Sequence, residues 1–211
     1  MSRRNRTAVL CLVSVAIILT ASVVGWRHLR PATLSQTELW LSHPETNTVL
    51  TDTDYQVLSS FLKGGQTSIR IGSSRGSSVL APTTALFFEP IPIEDQNWMK
   101  RELKGLQDDT IAAFHGCMSH LAVVAPRFAV SEPYHIGTFE EVESIEKLYA
   151  HYPQTNGFVR FSCVAYSRNE PQALFWIERR MSPSAVGMFV LMEKNASGEW
   201  VQAGEMVRWI A

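Results

Sequence analysis

The clearest feature of the sequence is a change of hydrophobic periodicity in its C-terminal half. Over residues 139–152 the apolar side chains recur at helical spacing, and Thr138 and Glu141 form the signature of a capping box at the start. After Gly157, apolar and polar positions alternate, which is typical of strands with one buried face. The pattern therefore predicts a helix followed by four strands, at residues 158–167, 173–179, 186–193 and 200–210.

Short polar segments separate the predicted strands, at residues 168–172, 180–185 and 194–199. Connections of this length join neighbouring strands that run in opposite directions, so they predict an antiparallel meander. We expect one face of this sheet to bury the apolar stripe of the helix at 139–152. The predicted fold class is α+β, with helices packed on an antiparallel sheet that ends in a four-stranded C-terminal meander.

The pattern upstream of this helix predicts shorter elements. Residues 52–62 carry apolar side chains at helical spacing, and Asp52 or Thr53 is the expected N-cap. The other predicted elements are strands at residues 67–71 and 85–88, an exposed Ser/Gly-rich loop at 72–78, and helices at 97–106 and 109–115.

The N-terminus carries a long apolar run, residues 7–26, without a single charged side chain. As a helix with a rise of about 1.5 Å per residue, the run spans about 30 Å, the thickness of the hydrocarbon core of a bilayer. Trp26 stands where interfacial aromatic residues are found. The sequence therefore predicts a signal anchor or transmembrane helix at 1–26, a juxtamembrane spacer at 27–50 and an α+β domain at 51–211.

The charges beside the run predict its orientation. Three arginines, Arg3, Arg4 and Arg6, precede it, and Arg27 and Arg30 follow it. This balance favours a cytoplasmic N-terminus, a single pass and an extracytoplasmic C-terminal domain. The run is longer than a typical cleaved signal, which favours retention at the cell membrane, whereas cleavage would give a secreted domain.

Composition excludes several classes of protein. The chain of 211 residues has 19 basic and 20 acidic side chains, so it lacks the positive field of a nucleic-acid-binding protein. Its 12 glycines, 10 prolines and 3 cysteines exclude a collagen-like chain and a disulfide scaffold. No phosphate-binding loop or complete set of metal ligands is present in the sequence, so no cofactor and no nucleic acid are expected as partners.

The C-terminal half resembles a family of uncharacterised bacterial envelope proteins, which have an N-terminal signal or anchor and a C-terminal domain of a helix and an antiparallel meander. The matching features are Tyr152-Pro153, Gly157, Phe161-Ser162, Ala173-Leu174, Gly187, Leu191 to Lys194, Gly198 to Trp200, and Trp209-Ile210. Residues 53–62 and 106–116 fit the same family, so the resemblance covers most of residues 50–211.

This resemblance implies a fold and a compartment but no activity. Its matching features are aromatic packing residues and turn glycines. Many of the relatives carry a cysteine-containing loop between the second and third strands, whereas this chain has MSPSAVG at 181–187. The resemblance therefore implies no metal site and no disulfide at that loop.

One short motif suggests a nucleophile. Gly72 to Gly76 match the G-x-S-x-G pattern, which would make Ser74 the nucleophile of a serine hydrolase. That motif requires a helix directly after it, so that backbone N–H groups can stabilise the oxyanion. The residues that follow lack helical periodicity and include Pro82, which favours a flexible loop.

His115, Cys117 and His120 lie close together in the sequence and are residue types that bind zinc. Two histidines five positions apart do not share one helical face, and a fourth ligand is missing. We therefore expect no metal site here.

Cys117 and Cys163 leave two alternatives open. In an oxidising compartment they are candidates for a disulfide that closes a long loop. Cys163 lies on a predicted strand beside inward-facing residues, so a buried free thiol is the other interpretation.

These observations favour a non-enzymatic interaction domain that is anchored in the bilayer by residues 7–26. Its expected partner is an envelope protein or a small ligand of unknown identity. A ligand-binding module with a pocket between the helix at 139–152 and the sheet is the first alternative. A serine hydrolase that uses Ser74 is the second.

Overall fold

The computed structural model describes residues 48–64, 77–82, 84, 91, 93–168 and 171–210. The apolar run at 7–26, the spacer up to residue 47, and the strands predicted at 67–71 and 85–88 lie outside these residues. The helices in the described part of the chain are all too short or too polar to cross a bilayer.

Five helices and nine strands form the described fold. The helices are α1 (Asp52–Gly64), α2 (Ile93–Glu102), α3 (Asp108–Cys117), α4 (Phe139–Val142) and α5 (Ile145–His151). The strands are β1 (Thr48–Val49), β2 (Ser78–Leu80), β3 (Ala122–Val123), β4 (Tyr134–Ile136), β5 (Phe158–Phe161), β6 (Ala165–Tyr166), β7 (Gln172–Met181), β8 (Ser184–Lys194) and β9 (Trp200–Ile210).

One seven-stranded sheet organises the domain, in the order β4-β2-β5-β7-β8-β9, with β6 paired to β7 beside β5. The strands β5, β7, β8 and β9 are antiparallel neighbours, so the predicted C-terminal meander is confirmed. At the other end of the sheet, β2 runs parallel to both β4 and β5. Strands β1 and β3 form a separate sheet of two short parallel strands.

Helix α1 covers one face of the sheet. Leu58 and Phe61 are buried, and Phe61 meets Phe175 of β7 edge to face at 5.3 Å between ring centroids. Thr51 and Asp54 cap the helix reciprocally: the hydroxyl of Thr51 accepts from the Asp54 amide, and the Asp54 carboxylate accepts from the Thr51 amide. The N-cap is therefore Thr51, rather than the predicted Asp52 or Thr53.

Helices α2 and α3 cover the opposite face. Met99 of α2 and Leu103, just after this helix, are buried against this face, and Phe114 of α3 meets Phe189 of β8 edge to face at 5.7 Å. Because β7 and β8 bury side chains on both faces, they lack the clean polar alternation of a half-exposed sheet.

The helix predicted at 139–152 is two helices in the structure. Thr138 caps α4 through a capping box with Glu141, as predicted. Ser144 then caps α5, because its hydroxyl accepts from the Lys147 amide at 3.2 Å and ends the first helix. Both pack over the β2–β5 end of the sheet, where Leu148 joins a small apolar cluster.

The strand predicted at 158–167 is also divided. The hydroxyl of Ser162 accepts from the Trp176 amide at 2.8 Å and donates to the carbonyl of Cys163 at 2.7 Å. These side-chain bonds replace regular ladder bonds, so β5 ends at Phe161 and β6 begins at Ala165. The turn predicted at 180–185 shrinks to Ser182-Pro183, since β7 and β8 extend on either side of it.

Candidate functional site

An open cleft of about 570 Å³ lies between the α4–α5 junction and the β7–β8 hairpin. We call it the hairpin cleft. Its described lining residues are Glu143, Ser144, Ile145, Arg180, Met181, Ser182, Pro183, Ser184, Ala185 and Trp209. Its volume lies in the range of small-molecule sites in proteins, and its lining mixes apolar side chains with hydroxyls, one guanidinium and one carboxylate.

Arg180 projects into the cleft from β7, and a buried carboxylate holds it. Its Nε donates to Glu178, whose residue is only 4% exposed, whereas 51% of the Arg180 side chain is exposed. The Nη1 of Arg160 lies 3.7 Å from the other carboxylate oxygen of Glu178. Two guanidinium groups therefore share one carboxylate, which leaves an excess of positive charge below the cleft.

The second guanidinium, Arg160, is confined within the fold. Burial lowers the pKa of Arg160, the carboxylate of Glu178 raises it, and Arg180 lowers it again. The guanidinium also lies over the ring of Phe158, 5.2 Å from its centroid. Arg160 is therefore the largely buried partner of Glu178, whereas Arg180 is the partner that faces solvent.

Trp209 forms the β9 wall of the cleft, and a glycine on the neighbouring strand makes room for it. Gly187 pairs with Trp209 across the β8–β9 ladder. A Cβ atom at position 187 would overlap the indole ring of Trp209 and approach Trp176 to 3.0 Å. The absence of a side chain at Gly187 thus leaves room for the indole close to β8.

One hydrogen bond joins the two walls of the cleft, and a second orders the helical wall. The amide of Ser182, in the hairpin turn, donates to the hydroxyl of Tyr149 on α5 at 3.3 Å. The N-cap bond of Ser144 orders the opposite wall. The cleft is therefore built on capped helices and a hairpin that contact each other, which favours a preformed site.

A second groove, of about 350 Å³, runs along α1. Four of its polar lining residues bind partners within the fold. Arg127 pairs with Asp52 and lies over the ring of Tyr55. The hydroxyls of Tyr55 and Ser59 accept from the amides of Ala125 and Ala129. Because these groups already hold the 125–129 segment on α1, the hairpin cleft is the better candidate for a ligand.

The residues that the sequence singled out for chemistry do not meet in this cleft. Ser74 lies outside the described residues, so its role as a nucleophile stays a prediction. His115 and Cys117 lie on α3, and the described residues contain no group of three or more His, Cys, Asp or Glu side chains able to hold a metal ion. The ligand pocket predicted between the helix at 139–152 and the sheet stays a prediction; from that segment, Glu143, Ser144 and Ile145 line the hairpin cleft.

The structure joins Cys117 and Cys163 in a disulfide, with an S–S distance of 1.99 Å and 6.0 Å between the Cα atoms. The bond ties the C-terminal end of α3 to the irregular segment between β5 and β6. It selects the disulfide from the two alternatives that the sequence left open.

Sequence reasoning missed the charged cluster below the cleft. Glu178 and Arg179 end the predicted strand at 173–179, and the pattern predicts Arg180 in the turn that follows. The available signal was Glu178 itself, an acidic residue at an inward-facing position of a buried strand, which requires a cationic partner nearby.

Comparison with known proteins identifies no relative, since no protein family, no curated protein and no solved structure matches this chain.

Proposed function

We propose that this protein is a non-enzymatic interaction domain and that it binds its partner ligand in the hairpin cleft. The cleft itself carries the proposal, because it combines a suitable volume with apolar walls and one solvent-facing guanidinium. The described lining residues include hydroxyl groups, but no histidine or cysteine lies among them. Binding is therefore the activity that this set of groups supports best.

Site-specific photo-crosslinking in cells tests this role. A photoreactive residue at Met181, which is 37% exposed beside the cleft, should capture the ligand or partner. Val201, which is 42% exposed near the far end of β9, is the matched control position. Addition of Ala185→Trp should fill the cleft and remove the Met181 adduct.

Equal adducts at both positions, or an adduct at Met181 that survives Ala185→Trp, would contradict binding in the cleft. The folding of each variant is checked by its thermal unfolding transition, so that loss of the adduct reports on the cleft.

The proposed setting is the cell envelope, as the resemblance to envelope proteins also implies. Residues 7–26 would form a single-pass anchor with a cytoplasmic N-terminus, and residues 27–50 would join it to an extracytoplasmic domain at 51–211. The disulfide between Cys117 and Cys163 supports this placement, because disulfides persist in oxidising compartments.

Reporter fusions after Trp26 and after Ala211 test the proposed topology. A reporter that is active only outside the cytoplasm should work at both positions, and the mass of the chain should equal that of the uncleaved protein. Activity of a cytoplasm-specific reporter at either position would overturn the orientation, and a chain shortened at its N-terminus would indicate a secreted domain.

A further inference from the structure

We propose that the hairpin cleft binds small molecules that carry a carboxylate on an apolar body, and that Arg180 recognises the carboxylate. This inference rests on the proposed role of the cleft as a binding site, and it adds the chemical class of the ligand. It follows from the charge, the hydrogen-bonding groups and the apolar surface that the cleft presents.

The guanidinium of Arg180 is oriented by the fold and retains donors for a ligand. Its Nε is engaged by Glu178, and no partner within the described residues engages its two Nη groups. A guanidinium presents its N–H groups in a planar fork that matches the two oxygens of a carboxylate. Because Glu178 already restrains the guanidinium through Nε, the two Nη groups can bind a ligand with little further loss of side-chain freedom.

The charge balance of the cleft favours an anion. Arg180 and Glu143 are the charged groups among the described lining residues. Glu143, which is exposed, pairs with Lys147, four residues further along the chain, at 2.5 Å. The carboxylate of Glu178, which is buried, is shared by Arg160 and Arg180. These three side chains therefore keep a net positive charge that a bound anion would balance.

The remaining walls of the cleft suit an apolar body. Ile145, Met181, Pro183, Ala185 and Trp209 contribute apolar surface around Arg180. The indole of Trp209 supplies a flat surface on which an aromatic or aliphatic group can pack. A ligand with a carboxylate at one end and an apolar group at the other would satisfy both parts of the cleft.

Fluorine NMR of a matched pair of probes tests the inference. The full chain, in lipid nanodiscs, is titrated with N-acetyl-para-fluorophenylalanine and with its neutral amide, and empty nanodiscs are titrated in parallel. The two probes share one apolar body and differ in charge. We expect the acid to bind about tenfold more tightly than the amide, because a charge-assisted hydrogen bond is lost with the carboxylate.

Three variants assign the preference to Arg180. Arg180→Gln should abolish the difference between acid and amide, whereas Arg180→Lys should retain part of it, because the charge stays and the planar fork is lost. Arg208→Gln is the matched control, since Arg208 pairs with Asp95 outside the cleft and should leave the preference unchanged. The thermal unfolding of all three variants is compared with that of the parent, so that a lost preference reports on Arg180 and not on folding.

The outcomes separate this inference from the proposed function. If the amide binds as tightly as the acid, if neither binds, or if Arg180→Gln keeps the preference, the carboxylate inference is wrong. In that case an adduct at Met181 that disappears with Ala185→Trp would still support binding in the cleft. Loss of the crosslink as well would overturn both.

Discussion

Gly157 occupies a position where the backbone itself leaves no room for a side chain. Its φ is +113°, and a Cβ atom there would overlap the carbonyl oxygen of Arg180 on β7. Its own carbonyl accepts from the Val79 amide at 3.2 Å, so the residue joins β2, β5 and β7 at one point. The residue thus supports the strand that carries Arg180 into the cleft.

Gly157→Ala should therefore destabilise the domain by about 3 kcal/mol, because it adds a steric overlap to a strained backbone conformation. Gly198→Ala provides the control: its φ is +79°, yet its Cβ would meet no atom within 4 Å, so the expected loss is about 1 kcal/mol. Urea unfolding of both variants measures the difference. Equal losses would show that β7 moves away without cost.

The capping box of α4 carries a titrating group. The pKa of Glu141 is lowered, first because its carboxylate accepts from the Thr138 amide, and also because it accepts from the hydroxyl of Tyr152. A carboxyl whose pKa is lowered by folding stabilises the folded state above its unfolded pKa. That stabilisation disappears as the pH falls through the folded pKa.

Glu141→Ala should therefore cost about 1 kcal/mol of unfolding free energy at about pH 7, and clearly less at about pH 2.5. Urea titrations at the two pH values measure this. Gly198→Ala alters no charged group, so its cost should be the same at both. A pH-independent cost of Glu141→Ala would show that the carboxylate charge contributes nothing to the cap.

At the scale of elements, the sequence predicts those helices and strands whose apolar spacing is visible within the element itself. Helix α1 and the strands β7, β8 and β9 lie close to their predicted positions, because each carries its own apolar spacing over ten or more residues. The meander follows from short connections between neighbours in the chain.

The elements that the sequence missed depend on distant partners. Strand β2 has only three residues, and its partners β4 and β5 lie far along the chain. The sequence around β2 therefore contains no pattern that predicts the parallel pairing. The hairpin cleft has the same character. Arg180 lies in a predicted turn, and only the fold shows that Glu178 holds it and that Arg160, from β5, shares the same carboxylate.

At the scale of the whole domain, the disulfide links residues 46 positions apart. In the chain-entropy model, a loop of this length stabilises the folded state by about 4 kcal/mol, so reduction should lower the urea midpoint markedly. Alkylation of the unfolded chain gives the control. It should label Cys11 alone without reductant and all three cysteines after reduction, and three labels without reductant would contradict the bond.

The order of the elements along the chain has a consequence for folding during protein synthesis. Both strands that pair with β2 follow it in the chain, and helices α1, α2 and α3 bury their apolar faces on β5 to β9. A chain made from its N-terminus therefore releases Leu58, Phe61 and Phe114 before the surface that covers them exists. The core of the domain is complete only after β9 has been synthesised. A chain that lacks the last strands would therefore leave the apolar faces of the earlier helices exposed to water.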